Sequence, residues 1–318
     1  MINFQDTFEF ENRNIDVFTI GELLIDMIST DYSENFQCNS YVKYFGGSPA
    51  NIAMNIKSLG ANSTIAAAIG KDGLGDFLEQ QLEDNCIDTS NIDRVDFPTS
   101  MVIVTKSKTT PVPIFYRGAD YNLEYTPELK TSLTNSKIIH FSCWPISQKK
   151  SRSTIEKVII EAKENNVLIG FDPNYHEMIW EKEHDGIEYI KQLISKVDII
   201  KPSEDDANRI FGEDTPENQI DKFIKLGAKL VILTLGSDGA IVSNGESKIT
   251  FHTLASEVVD TTGAGDAFWS GFYTAIIKGY TIKVALQLGF AVSAYKLKYV
   301  GAVVNLPSIE QIKNIYDI

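Results

Sequence analysis

The chain has 318 residues, with 29 Lys and Arg against 43 Asp and Glu, a formal net charge of −14 at neutral pH. At about 100 to 200 residues per domain this makes one large domain or two, and 43% apolar with 23% charged residues supplies a sizeable core and excludes disordered and fibrous classes. The acidic balance argues against nucleic acid or an anionic membrane as partner, because such surfaces need clustered cations and the densest basic run is only Lys149-Lys150-Ser151-Arg152.

The first predicted strand covers 16–20 and ends at Gly21-Glu22, and residues 49–59 then carry Ile52, Ala53, Ile56 and Leu59 at helical spacing. A second pair follows, an apolar run at 63–69 and a helix whose face is marked by Leu74, Phe77, Leu78 and Leu82. Two stretches, 26–45 and 98–125, break the alternation. The second holds the strand-like runs Met101-Val102-Ile103-Val104 and Val112-Pro113-Ile114-Phe115-Tyr116 with no helix between them. The rhythm then resumes with a strand at 137–142, a helix at 151–166, a strand at 167–172, a helix at 184–195 and a strand at 197–200. A strand at 230–234, strand-like pieces to Thr253, a helix opening near Ala264 and another over 282–299 close the chain. Continuous apolar strands between amphipathic helices predict a parallel sheet covered on both faces. The two interruptions read as a small β layer, either a lid beside the carboxyl ends of the strands, where open α/β sheets bind ligands, or a hairpin extending the main sheet.

No run approaches the roughly 18 apolar residues of a membrane span, and the start Met1-Ile2-Asn3-Phe4-Gln5-Asp6 lacks the basic and apolar regions of a leader, so a cytoplasmic protein is expected. Cys38, Cys86 and Cys143 lie far apart and suggest neither a disulfide framework nor a zinc knuckle. His140, His176, His184 and His252 are equally scattered.

Three motifs carry chemistry. Val258-Val259-Asp260-Thr261-Thr262-Gly263-Ala264-Gly265-Asp266 is a strand-like run, a Gly-rich turn and a helix start. Free N–H groups there would trap an anion. Asp266 falls in the first turn, where the helix dipole favours its ionised form, a weak base able to orient and accept the proton of an attacking hydroxyl. Equally, a threonine could simply cap the helix and Asp266 satisfy its dipole. Phe45-Gly46-Gly47-Ser48-Pro49-Ala50-Asn51 brings backbone close to a ligand and offers the Asn51 amide to sugar hydroxyls, or is a turn before a helix. Thr234-Leu235-Gly236-Ser237-Asp238-Gly239 is a phosphate-holding turn or a hairpin. Neither G-x-G-x-x-G nor G-x-x-x-x-G-K-[ST] is present, which removes Rossmann and P-loop sites.

Taken together, the G-G-x-x-x-N block and the D-T-T-G-A-G-D block resemble, in order and separation, the two signatures of the PfkB, or ribokinase-like, family of carbohydrate kinases. The resemblance runs from Gly21-Glu22 to Leu306-Pro307, and Gly21-Glu22-Leu23-Leu24-Ile25-Asp26 is most similar to fructokinases. It implies a single α/β domain over 1–318, three layers α/β/α around a mainly parallel sheet, with a β-sheet lid formed by insertions at about 27–45 and 98–124. It implies ATP and Mg²⁺ as cofactors and a small sugar as partner; the oligomeric state stays open, with an exposed lid strand able to pair with its copy in a homodimer. Asp26, Gly47 and Asn51 then match sugar-contacting positions, and Arg117 a lid arginine reaching the sugar. Asp266 matches the catalytic base, with the Gly263, Ala264 and Gly265 amides as the anion hole. Asn174, Ser203, Thr234, Gly236, Gly239 and Asn305 match the ATP side. Asp206 would meet Mg²⁺ through water, and Asp260, Thr262 and Gly301 would hold a monovalent cation, K⁺, behind the anion hole.

Two departures stand out. Where the family has N-x-x-E this chain has Ser203-Glu204-Asp205-Asp206, which predicts retained activity with altered metal dependence. In Asp172-Pro173-Asn174-Tyr175-His176, His176 replaces a usual arginine, which predicts weaker ATP binding at high pH. The expected activity is transfer of the ATP γ-phosphate to D-fructose. The alternatives are 5-dehydro-2-deoxygluconate or 2-keto-3-deoxygluconate as acceptor, or a sugar-binding protein that has lost catalysis.

Overall fold

In the computed structural model, residues 2–32, 36–106, 113–182 and 185–318 are described; Val112, His184 and the portions of the insertions at 33–35 and 107–112 lie outside the described residues. The first half runs β1 (Ile15–Ile20), β2 (Leu24–Tyr32), β3 (Tyr41–Gly46), α1 (Ser48–Leu59), β4 (Ser63–Gly70), α2 (Gly73–Asp84), β5 (Ile92–Val95), β6 (Met101–Lys106), β7 (Ile114–Tyr116), α3 (Pro127–Thr134), β8 (Ser136–Ser142), α4 (Cys143–Ile146) and α5 (Lys149–Glu164). The second half runs β9 (Leu168–Asp172), α6 (Gly186–Ile194), β10 (Ile199–Ile200), α7 (Glu204–Phe211), α8 (Pro216–Lys225), β11 (Leu230–Thr234), β12 (Ala240–Ser243), β13 (Lys248–Phe251), α9 (Ala264–Ile277), α10 (Ile282–Lys296) and α11 (Ile309–Ile315).

Among the described residues, nine strands form one sheet in the order β13-β12-β11-β10-β9-β8-β1-β4-β5. It is parallel from β5 to β11 and turns antiparallel at β12 and β13, which the chain reaches by hairpins rather than crossovers. Side-chain alternation along these strands feeds two large cores, and a third, smaller one holds Ile65, Ala67 and Ile69 of β4 with α1 and α2. Phe18, Ile139, Phe171, Val231 and Leu233 face one large core with α3, α5, α6, α7 and α8. Val17, Ile138, Ile199, Leu230 and Ile232 face the other large core with α1, α9, α10 and α11. This is the three-layer arrangement the apolar runs predict. No helix among the described residues is long and apolar enough to cross a membrane.

The two interruptions build a second sheet, ordered β3-β2-β6-β7, so the edge-hairpin alternative falls. Its central pair, β2 and β6, is parallel and its outer pairs are antiparallel. Strand β2 begins already at Leu24, inside the run expected to end the first strand's turn, so the lid grows directly from β1. The helix expected at 184–195 starts at Gly186, capped by the Asp185 carboxylate, which accepts from Glu188 N. Helices α3, α7, α8 and α11, seven to ten residues long, have no counterpart among the predicted elements.

Candidate active site

The carboxyl ends of the strands meet the lid at a cleft of about 340 Å³, lined by Glu22, Asp26, Gly47, Ser48, Trp144, Asp172, Asn174, Lys201, Ser203, Asp206 and the turn 263–266. Asp26 and Thr261 also line a larger cavity of about 1210 Å³ between the lid and the segments 258–262 and 300–305. The structure thus brings together Asp26, Gly47, Asn174, Ser203, Asp206 and Gly263 to Asp266.

Helix α9 supplies the centre. Its N-cap is Gly263 in the left-handed region (φ 73), and no side chain caps it. A Cβ on Gly263 would lie 2.6 Å from Ala302 Cα, so the turn needs glycine for both its backbone angle and its closeness to the 301–302 segment. Of the first-turn amides, that of Ala264 donates back to Thr261 O at 3.2 Å, and no side chain takes up the others, which leaves room for a ligand at Gly263 and Gly265. Asp266 is the third helical residue. Its Oδ1 accepts from Ser48 Oγ at 2.6 Å and its Oδ2 from Asn51 Nδ2 at 2.9 Å. Both donors come from α1, whose start is set by Gly47 (φ 103) and by Pro49 in the first turn.

The expected weak base needs correcting. Burial raises the pKa of Asp266 more than the two hydrogen bonds lower it, with the Asp172 carboxylate adding to the rise. The helix dipole is outweighed by desolvation, which makes Asp266 a stronger base than its position alone predicts. Two further carboxyls share this space. Burial pushes Glu22 up to about 8, with Asp266 contributing, so it is largely protonated at neutral pH. Burial and Asp266 push Asp26 up to about 7. Asp26 packs against Gly46, its carboxylate filling the space a Cβ there would take. The Asn51 Oδ1 is buried without a partner.

Opposite charge is provided by Lys201, which sequence reading missed. It is 5% exposed, and its Nζ pairs with Asp172 at 2.9 Å, the same Asp172 Oδ2 accepting from Trp269 Nε1 at 2.8 Å. The ammonium lies 3.3 Å from where a Cβ on Gly265 would stand, beside the α9 amides. A charged residue directly after the apolar run Ile199-Ile200, at the carboxyl end of a central strand, was the available signal.

Arg117 is not brought to the cleft. It forms an ion pair with the buried Asp120, donates to Ser147 Oγ at 2.6 Å and Ile179 O at 3.0 Å, and stacks 4.6 Å over Trp144. Trp144 lines the cleft in its stead, its Nε1 held by Asp120 Oδ2 at 2.6 Å. Nor does His176 line either cavity. Its ring meets Phe115 of the lid edge-on at 5.0 Å, and burial, helped by Arg209, lowers its pKa, which moves any effect of its charge to lower pH.

At the end of the cleft next to α7, Ser203 and Asp206 form a capping box on that helix. Asp206 Oδ2 accepts from Ser203 N at 2.9 Å and Oγ at 2.7 Å, and its Oδ1 from Tyr175 N at 2.7 Å. Burial raises its pKa nonetheless. Asn174, with φ 35, sits exposed between this box and Asp172. Thr234 joins the group through Thr234 N donating to Pro202 O at 3.0 Å. Gly236 and Gly239 lie on the turn after β11 with φ 58 and 92, outside both cavities. Gly301 and Asn305 line the larger cavity. Asp260 Oδ2 accepts from Gly301 N at 2.8 Å, and its Oδ1 from Thr262 N at 2.9 Å and Oγ1 at 2.8 Å. Burial opposes ionisation of Asp260, but these donors and Lys296 hold its pKa below the usual range.

A cleft with an open helix N-terminus, a buried carboxylate facing it and a buried lysine beside it suits transfer of an anionic group to a hydroxyl. The sequence profile of the pfkB family carbohydrate kinases matches residues 14–309. The chain is 65% identical to an ATP-dependent 6-phosphofructokinase of Thermoanaerobacterium thermosaccharolyticum over 318 residues, covering 100% of this chain and 99% of the relative. Among solved structures, Halothermothrix orenii fructokinase superposes with a TM-score of 0.79 at 38% identity, covering 87% of this chain and 98% of that one. A Pyrococcus horikoshii sugar kinase in complex with ATP gives 0.82 at 28% identity, covering 94% and 97%. The chain belongs to the pfkB family of carbohydrate kinases.

Proposed function

We propose that the enzyme transfers the γ-phosphate of MgATP to the free primary hydroxyl of a fructofuranose, with fructose 6-phosphate as preferred acceptor. The observation that carries the reading is Asp266, a buried carboxylate oriented by Ser48 and Asn51 one turn from the uncapped N-terminus of α9. Asp26 holds the acceptor's hydroxyls, and Asp266 takes the attacking proton. The amides of Gly263, Ala264 and Gly265, with Lys201, receive the charge of the transferring phosphoryl group. A Mg²⁺ ion bound with the nucleotide would supply neutralisation of phosphate charge. Because both Asp206 oxygens already accept hydrogen bonds, Asp206 would hold the ion through water. Thr234, Gly236, Gly239 and Asn305 remain the proposed wall for the rest of the nucleotide.

Two features favour a phosphorylated acceptor. The 65% relative carries that activity in its name, and Lys43 and Lys106 of the lid line the larger cavity that Asp26 shares, giving positive charge at the far end of the sugar. Free fructose is the second reading, favoured by the likeness to the Halothermothrix orenii fructokinase. The intact Asp266 arrangement argues against a silent binding protein. The lid's outer strands expose Val42, Tyr44, Ile114 and Tyr116, which supports the lid-to-lid homodimer and is checked by the mass in solution.

The test is ADP release from MgATP with fructose 6-phosphate, fructose, ribose and both keto-deoxy acids. The expected result is kcat/KM at least tenfold higher for fructose 6-phosphate than for fructose. The reverse order installs the second reading, and no turnover with any sugar overturns both.

A further inference from the structure

The oxygens that the family resemblance offers to a monovalent cation are already engaged. Lys296, the last residue of α10, is fully buried. Its Nζ donates to Asp260 O at 2.7 Å and lies 4.0 Å from Asp260 Oδ2. That Oδ2 also accepts from Gly301 N, and Oδ1 is filled by Thr262. A K⁺ ion would need the same carbonyl and carboxylate oxygens, and it would stand beside a like charge. The residues present therefore do not fit a free cation at Asp260.

We propose that Lys296 is a tethered cation that replaces K⁺ behind the anion hole and makes turnover independent of monovalent salt. An ammonium is a compact point charge with three donors, close in kind to a bound monovalent ion. Attached to the chain, it is present at every salt concentration, whereas a free ion stabilises its loop only in proportion to its occupancy. Its position joins three segments. The backbone of Leu297, next in sequence, accepts from Val259 N at 2.7 Å, so the end of α10 is fixed to the approach of the Gly-rich turn. The ammonium holds the Asp260 carbonyl, while the Asp260 carboxylate ties the turn to Gly301. Three residues after Asp260, Gly263 caps α9 in contact range of Ala302. Lys296 touches no reacting atom; it is a positioning residue acting through Asp260 on the amides of Gly263 to Gly265. Burial pulls its own pKa down, and the carboxylates of Asp260 and Asp266 oppose that pull.

The inference rests on residues 263–265 being the anion hole. The test measures turnover of the full-length enzyme in choline, sodium, potassium and ammonium chlorides at equal ionic strength, together with melting temperature in each salt. The wild type should vary less than twofold in kcat, with no potassium-specific rise in Tm. Lys296→Met should lose at least tenfold in kcat in choline with the acceptor KM little changed. Potassium or ammonium should restore much of that loss and raise the variant's Tm. Several-fold activation of the wild type by potassium overturns the proposal, as does a Lys296→Met enzyme that keeps wild-type kcat in choline. Should Lys296→Met not fold, the wild-type salt series still decides. Asp266→Asn run alongside separates the two ideas: undiminished turnover in that variant removes the site reading itself, independently of any salt effect.

Discussion

Helices α7 and α9 both open onto the same cleft, and both carry an aspartate at the third helical position, yet their N-termini are treated in opposite ways. In α7, Ser203 caps the helix and exchanges hydrogen bonds with Asp206, so the local donors and acceptors satisfy one another. In α9, the cap is a glycine without a side chain, and the donors to Asp266 come from α1, more than 200 residues earlier in the chain. The same position in the same kind of element therefore stabilises a helix in one case and leaves a site open in the other. What separates them is whether the first-turn groups find partners locally or only through the fold.

Exchanging the Asp266 carboxylate for an amide tests the contrast most severely. Asp266→Asn keeps the shape but removes the proton acceptor, and kcat should fall by about 10²- to 10⁴-fold, the range of general base catalysis. The circular dichroism and Tm should stay close to wild type. An active Asp266→Asn enzyme would reduce α9 to the same structural status as α7. Gly263→Ala attacks the open cap itself. A Cβ there meets Ala302 at 2.6 Å on a backbone with φ 73. The turn must shift, and a displacement of about 1 Å at the amides costs on the order of 100-fold in turnover. Steady-state kinetics with Tm measured in parallel checks this, and a wild-type rate would show that the close approach to the 301–302 segment is dispensable.

Much of this contrast was readable from sequence, though unevenly. The turn at 260–266 carries its chemistry in consecutive residues, and the apolar strand runs fix the parallel sheet because burial on both faces leaves no other pattern. Asp26 and Asn51 became legible only through the family resemblance, since nothing local says that β2 and α1 converge on α9. Glu22, Lys201 and Lys296 went unread because each sits at the end of an apolar run, where a polar side chain looks like a boundary, and Trp144 because an aromatic next to Pro145-Ile146 reads as core. Arg117 was placed at the sugar because its sequence neighbourhood matched, while its actual destination depends on Trp144 and Ser147, delivered by β8 and α4. Ser203-Glu204-Asp205-Asp206 is itself a capping pattern, and its structural role was available before the family comparison made it look like a defect.

The donors to Asp266 give a subtler test. Burial raises the Asp266 pKa, and the hydrogen bonds from Ser48 and Asn51 favour the charged form and lower it. Ser48→Ala removes one of them, so the folded-state pKa rises further and the ionised base is lost at a higher pH. The acid limb of kcat/KM should move up by about one pH unit, the worth of one hydrogen bond to a charge of about 1.5 kcal/mol. A limb that stays in place would assign it to another group, with Asp26, pushed up to about 7, the first candidate.

The smallest effect belongs to the closed helix. Ser203→Ala deletes the α7 cap and should cost about 1 kcal/mol of stability, the usual worth of a serine cap. The Asp206 carboxylate also loses its hydroxyl donor while keeping Ser203 N and Tyr175 N. Its pKa, already raised by burial, should rise again, so the destabilisation should grow as pH increases and Asp206 must ionise with one donor fewer. Turnover at saturating MgATP should change by less than about threefold, because an ion met through water does not require the serine. Urea unfolding at pH 6 and pH 8 reads the first two expectations and kinetics over a range of Mg²⁺ concentrations the third. A large fall in kcat with unchanged stability would invert the comparison, making the Ser203 hydroxyl a ligand contact rather than a cap and placing an open site at both helices.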